Sequence, residues 1–280
     1  MDGDARNGLA YVAAPLQYMI PMAEKPRSYA YNPPAGMPAR TSRYTEHMLP
    51  IRNGRPLVSD LSLDKQGFAF LRHRSALTDF YDEAQVKTLY YPESEQLVAA
   101  ATGASKVVVF DHNLRSSAAV GDDAKGVSEP AWRVHNDYTV RSGPQRVRDL
   151  LGPEEGERRL QQRFAVINLW RPIKGPLLTA PLALCDARSI AMSDFVANDL
   201  IYPDRVGETY TVTYSPEHRW FYFPRMQPDE AVLIKCYDAL EDGRARFTAH
   251  TAFRDPTTPA DAPPRESIEV RTLAFFGPGG

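Results

Sequence analysis

Cysteine is scarce: 280 residues carry only Cys185 and Cys236. Each lies in an apolar run, PLALCDA and AVLIKCYD, where a small buried thiol is the ordinary reading. Two such residues exclude a disulfide framework and fit a reducing compartment. An excess of charge is missing too. With 33 Lys and Arg against 35 Asp and Glu, the formal net charge of -2 supplies no field to draw nucleic acid or anionic lipid, and neither partner is expected. Nowhere do about 20 apolar residues run together as a membrane span requires. The amino-terminal stretch MDGDARNGLAYVAAPLQYMIPMA is acidic before a short, proline-broken apolar run, without the basic leader of a secretory signal. A cytoplasmic protein is therefore expected, with no membrane partner.

What is present fits a single domain over residues 1–280, large enough to bury roughly 75% of its unfolded surface. Residues 1–60 are proline-rich, with Asn-Pro-Pro at 32–34, and are expected to wrap the core as extended chain. From about 75 to 103 the pattern is helical, with Pro92 in a first turn and Gly103 as a stop. A short helix is expected near 144–151. RSSAAVGDDAKGVSEP at 115–130, small and charged without periodicity, reads as a mobile loop placed to close over a site. The remainder is a procession of strands: SKVVVFDH, RFAVINLW, PLALCDA, ETYTVTY, RWFYFP, AVLIKCYD, RFTAHTAF and SIEVRTLAFF. Many strands at short spacing predict a mainly β protein, a barrel or sandwich with flanking helices.

Among six histidines, His135 stands out for its neighbour. In RVHNDY, His135 and Asp137 share one side of an extended chain because side chains alternate with period two. One cation can then bind both. A second imidazole completes the two-histidine, one-carboxylate set that leaves open positions on iron(II); zinc more often takes four ligands, or three and a water. His250 in RFTAHTAF sits between the small Thr248 and Ala252, which leaves room for a metal. His218, where a turn meets bulky aromatics, suits a supporting or substrate-pocket role better. Asp111 and His112 are adjacent, point to opposite faces of a strand, and chelate poorly.

A chelating 2-oxoglutarate also presents a distal carboxylate, which a guanidinium grips with two parallel hydrogen bonds. Fifteen residues after His250 comes Arg265, with Ser267 two residues on and on the same face; Arg271 faces the same way and is the reserve.

The blocks YYPESEQLVAAATGASKVVVFDH, VHNDYT, NLWRPIKGPLLTAPLALCDARS, HRWFYFPRMQPDEAVLIKCYD and AHTAFRDPTTPADAPPRESIEVRTLAFF resemble the hydroxylase/desaturase family. That family includes the fungal AsaB-type oxidases, gibberellin desaturases, an aziridine-forming oxygenase and the cephem 7α-methoxylase partner chain. The likeness runs from about 65 to 276. It implies a double-stranded β-helix (jelly-roll) barrel using iron(II), 2-oxoglutarate and dioxygen to hydroxylate, desaturate or cyclise a small natural-product or amino-acid-like substrate. It carries the metal ligands onto His135, Asp137 and His250, and the cosubstrate arginine onto Arg265. The gap from His250 to Arg265 exceeds the spacing common in the wider superfamily, so Arg271 stays open. Asn168, a polar amide in an apolar strand, is read as bonding to cosubstrate or to backbone. Arg115, Tyr138, Arg188 and Trp220 lie near strand ends, where a barrel mouth opens, and are the expected substrate contacts.

Two other classes fit less well. A noncatalytic partner protein on the same barrel gives no reason for an intact ligand set. A zinc hydrolase gives none for Arg265. An exposed barrel edge allows a homodimer, but nothing in the sequence requires one.

Overall fold

A computed structural model describes residues 8–118 and 126–277. Two curled sheets face each other as a jelly roll. The larger has nine strands in the order β1 (Tyr11–Met19), β3 (Tyr44–Asn53), β12 (Trp220–Tyr222), β9 (Leu182–Cys185), β14 (His250–Ala252), β7 (His135–Asn136), β11 (Val206–Val212), β10 (Phe195–Ile201), β2 (Arg27–Tyr29). The smaller has six: β4 (Phe68–Arg72), β13 (Glu230–Asp238), β8 (Phe164–Pro172), β15 (Glu266–Phe275), β5 (Lys106–Ser116), β6 (Val127–Ser128).

The smaller sheet is covered on both faces, which is why β8 and β13 are buried at every residue. Alternation sorts their side chains. Val166 and Trp170 of β8 enter the main core between the sheets, while Ala165, Ile167 and Leu169 meet Val86, Tyr90 and Val98 from the helical segment outside. On β15 the outward Ile268 and Val270 join that second cluster, leaving Ser267, Glu269 and Arg271, with Arg265 just ahead of the strand, to share the inner face. Four polar residues in a row on a core-facing side mark the functional face of the sheet.

The helical segment starts later than its composition predicts. Residues 75–82 are irregular chain, tied down at their start by Glu93, which accepts from Ser75 Oγ at 2.6 Å and from the Ala76 amide at 2.8 Å. Helix α1 (Glu83–Gln85) begins after the Asp82 side chain caps it, passes through one π-turn over Val86–Tyr90, and continues as α2 (Tyr91–Thr102). Gly103, at φ 72°, ends it as expected. Helix α3 (Ser142–Leu160) is more than twice the expected length and breaks at Gly152, φ 76°, ahead of Pro153.

The amino-terminal segment does more than wrap. β1 and β3 pair antiparallel along their length, and β3 runs parallel to β12, so this segment builds one edge of the larger sheet. Ala14, Leu16 and Tyr18 enter the main core. The edge position of β1 accommodates Pro15. The loop expected at 115–130 is shorter than its composition implies: Arg115 and Ser116 belong to β5, and Val127–Ser128 pair parallel with it. Residues 119–125, the centre of the expected lid, lie outside the described residues. No described helix is long and apolar enough to cross a membrane.

Candidate active site

His135 and His250 meet because β7 and β14 are neighbours and these two residues are direct cross-strand partners. Their ring centroids are 4.4 Å apart. Asp137 lies two residues past His135 on the same side, with Oδ1 3.5 Å from His135 Nε2. One ligating atom from each of the three falls within 4.8 Å of the others. Asn136, between them, points the opposite way and is fully buried. Its amide donates to the carbonyls of Tyr138 and Cys236, and its oxygen accepts from the Thr248 amide. That clamp joins the strand carrying His135 to the chain two residues before His250.

Both imidazoles are oriented from behind. His135 Nδ1 lies 2.8 Å from the Arg133 carbonyl and His250 Nδ1 2.9 Å from the Thr248 carbonyl. As Nδ1–H donors, each presents a bare Nε2 toward the gap. His250 Nε2 is buried with no hydrogen-bond partner among the described residues. A buried acceptor without a partner is costly unless something binds it. Burial, reinforced by His250, pushes His135 down to about 3, so its imidazole is neutral at physiological pH. Burial opposes ionisation of Asp137, but Arg271, the two histidines and the Asn168 hydrogen bond together hold its carboxyl below the usual range. Two imidazoles and one carboxylate, with a bare nitrogen aimed at their common centre, fit a divalent iron centre.

Around this group the inner face of the small sheet supplies a polar network. Asn168 Nδ2 donates to Asp137 Oδ2 and to Glu269 Oε1, each at 2.8 Å. Arg271 Nε sits 2.7 Å from Asp111 Oδ1, so the reserve arginine already has an acid partner. Asp111 reaches it because the β5–β15 register slips between Arg271 and Thr272: Arg271 opposes Asp111, Thr272 opposes Val109, and Phe110 is left unpaired.

Arg265 differs. It is 3% exposed, its Nε donates to Ser267 Oγ at 3.0 Å and its Nη1 to the Ala180 carbonyl at 2.9 Å. No carboxylate pairs with it among the described residues. Its guanidinium carbon lies 5.0 Å from the Trp170 ring centroid, and Trp170 Nε1 is itself a buried donor without an acceptor. Burial, with Arg115 nearby, pushes the guanidinium down to about 9. An enclosed cation beside an unused indole N–H makes a site for an anion.

A cavity of about 1300 Å³ opens from this face; His135, Asp137, Tyr138, Arg115, Glu269 and Arg271 are part of its wall. Tyr138 and Arg115, two of the four residues expected to contact substrate, line this cavity. The other two do not line it. Trp220 is fully buried in the main core and donates to Tyr18 Oη at 2.7 Å. Arg188 is bound to Asp186, at 2.7 Å, in a short turn after β9. Proximity to a strand end does not say which face a side chain takes, and here it was the face away from the cavity. His218 also stays clear: Nδ1 meets Tyr18 Oη at 3.0 Å and Nε2 meets Asp194 Oδ2 at 3.1 Å, which occupies both nitrogens. His112 Nδ1 bonds Tyr91 Oη at 2.8 Å on the outer side of β5, away from Asp111. Asn136, Trp170 and Glu269 were missed by sequence reasoning. A polar residue in the middle of a buried strand, the signal that marks Asn168, also marks Glu269.

The chain matches the model of an oxidoreductase/YMDC permease-like domain over residues 16–275. It is 36% identical over 256 residues to the hydroxylase/desaturase efuI of Hormonema carpetanum, covering 84% of this chain and 85% of that protein. It is 34% identical over 257 residues to the Fe(II)/2-oxoglutarate-dependent dioxygenase nvfI of Aspergillus novofumigatus, covering 89% and 90%. A solved structure of the iron and alpha-ketoglutarate-dependent endoperoxidase NvfI superposes with a TM-score of 0.87 at 30% identity, covering 95% of this chain and 98% of that one. These relatives are enzymes, which sets the partner-protein and zinc-hydrolase readings aside. Iron(II) and 2-oxoglutarate are the cofactors, and a small molecule and dioxygen the substrates. The chain belongs to this oxidoreductase family, as an iron(II)- and 2-oxoglutarate-dependent hydroxylase/desaturase.

Proposed function

We propose that His135, Asp137 and His250 hold the iron, and that Arg265, Ser267 and Trp170 receive the distal carboxylate of 2-oxoglutarate. The observation that carries this is the convergence of three ligating atoms within 4.8 Å, one of them a buried nitrogen with no partner. Arg265 supports the cosubstrate half: an enclosed guanidinium costs several kcal/mol unless an anion joins it. The Trp170 indole N–H adds a donor beside it. Arg271, bound to Asp111, is assigned instead to holding the Asp137 carboxylate ionised.

Held by these residues, iron(II) with 2-oxoglutarate and dioxygen would supply the oxidant for a substrate C–H bond. The chain's own groups position and shield. Asn168 fixes one Asp137 oxygen, the Thr248 and Arg133 carbonyls set the imidazole tautomers, and Tyr138 borders the cavity beside Asp137. A cavity of about 1300 Å³ exceeds the roughly 300–1,000 Å³ of ordinary ligand pockets, which favours a natural product over a single amino acid. Hydroxylation, desaturation and ring or peroxide closure all begin with removal of one substrate hydrogen, and the bound pose selects among them.

The test is anaerobic titration with iron(II) and 2-oxoglutarate. A visible charge-transfer band is expected with wild type and His218→Ala, and none with His250→Ala; a band that survives His250→Ala but not His218→Ala overturns the ligand assignment.

A further inference from the structure

One wall of the cavity carries a cation that the cofactor reading does not use. Arg146, in the first turns of α3, lines the cavity that also reaches His135 and Asp137. Its guanidinium carbon stands 5.3 Å from the Phe110 ring centroid, and its Nε is buried with no hydrogen-bond partner. No described residue forms an ion pair or hydrogen bond with it.

Arg146 acts on the Asp111 carboxyl through charge alone, and the acids of this region have closer partners. Asp111 is held by Arg271 at 2.7 Å, Asp149 accepts from Gln145 at 2.7 Å, and Glu269 accepts from Asn168 at 2.8 Å. Phe110 is the residue that the β5 bulge leaves unpaired, and it packs edge-on against Tyr138, with ring centroids 6.4 Å apart. The bulge therefore sets an aromatic shelf under Arg146 and places the Tyr138 ring next to it. The Tyr138 hydroxyl has no hydrogen-bond partner among the described residues. Around the whole cavity, eight basic side chains stand against six acidic ones, the reverse of the chain's slight acidic balance.

We propose that Arg146 and the Tyr138 hydroxyl form a subsite for a carboxylate on the substrate, so that the enzyme oxidises a natural-product acid and not a neutral one. This rests on the cofactor reading above and adds the substrate's chemical class. A planar guanidinium resting on an aromatic face is preorganised to grip a carboxylate with two parallel hydrogen bonds, and Tyr138 contributes a third donor. The subsite is separate from the one for cosubstrate, since Arg265 does not line this cavity. Held there, the acid sits on the wall beside Asp137, which fixes the end of the molecule presented to the metal.

The probes are aromatic and polycyclic carboxylic acids, each paired with its own methyl ester, added anaerobically to enzyme carrying iron(II) and 2-oxoglutarate. Binding is read by calorimetry and by quenching of tryptophan fluorescence, since Trp132 lines the cavity. Wild type is expected to bind at least one acid ten or more times more tightly than its ester. Arg146→Gln should erase that preference, and Arg146→Lys should keep part of it. No acid preferred over its ester, or a preference unchanged in Arg146→Gln, overturns the proposal. The charge-transfer band of wild type is recorded alongside: its absence counts against the cofactor reading, whereas an intact band without acid preference counts against the subsite alone.

Discussion

Asn168 Nδ2 lies 2.8 Å from Asp137 Oδ2 and equally close to Glu269 Oε1, so one amide bridges the Asp137 carboxylate to a second buried acid. The bridge holds Asp137 in the rotamer that faces the histidines, and it gives each of the two acids a donor. Replacing Asn168 with Ala removes both hydrogen bonds. Iron(II) affinity, measured by anaerobic calorimetry, is expected to fall about 10–100-fold, the usual effect of losing a partner of a metal ligand. Unchanged affinity would show that Asp137 is held by its backbone alone.

Arg265 and Arg271 share a face of β15 yet have opposite circumstances, and this gives opposite expectations for stability. Arg265 is enclosed without an acid; Arg271 has Asp111 at 2.7 Å. Arg265→Met should leave the melting temperature of the cofactor-free protein unchanged or raised, because it removes an unpaired buried charge. Arg271→Met strands Asp111, Asp137 and Glu269 together and should destabilise by about 1–2 kcal/mol, between the values for exposed and enclosed pairs.

The same contrast has a pH signature. Burial, then Arg115, lowers Arg265 to about 9, with Glu269 opposing. Between about 9 and the ordinary arginine range, the unfolded chain keeps a proton that the folded chain releases, so this group makes stability rise with pH in that window. Below 9 its penalty is full and constant. Any advantage of Arg265→Met over wild type in thermal melts should therefore hold at pH 8 and shrink as pH rises past 9. At pH 8, 2-oxoglutarate should raise the melting temperature of wild type and not of Arg265→Met. Stabilisation of the variant by 2-oxoglutarate, to the wild-type extent, would move the cosubstrate assignment to Arg271.

Gly67 supports the chain leading to His250. At φ +85°, a Cβ there would stand 2.1 Å from Thr248 Oγ1, and Thr248 donates to the Gly67 carbonyl at 2.8 Å. Gly67→Ala combines left-handed backbone strain of about 1–2 kcal/mol with overpacking of about 1–3 kcal/mol. A lower melting temperature is expected, together with weaker iron(II) binding, as Thr248 is displaced and with it the carbonyl that orients His250. A variant that is destabilised but binds iron normally would separate the two effects.

Much of this site is legible in the linear chain because strands obey a period of two. That rule alone puts His135 and Asp137 on one side, and Arg265, Ser267 and Arg271 on another. It also separates Asp111 from His112. What it cannot give is pairing between distant strands. The roles of Asn136, Trp170 and Arg146 depend on β7 lying beside β14, on Arg265 crossing over β8, and on a bulge at Phe110, none of which leaves a local mark. Trp220 and Arg188 mislead for the same reason: a strand end is visible in sequence, but the face it shows to a cavity is decided by the sheet around it.

The central claim, one metal held by residues from β7, the residue after it and β14 with cosubstrate reaching toward β15, is tested most directly by crystals grown anaerobically with iron(II) and 2-oxoglutarate and measured at the iron absorption edge. A single anomalous peak bonded to His135 Nε2, His250 Nε2 and an Asp137 oxygen is expected, with the distal carboxylate of 2-oxoglutarate on Arg265. Iron bound elsewhere, or that carboxylate paired with Arg271, would contradict the account.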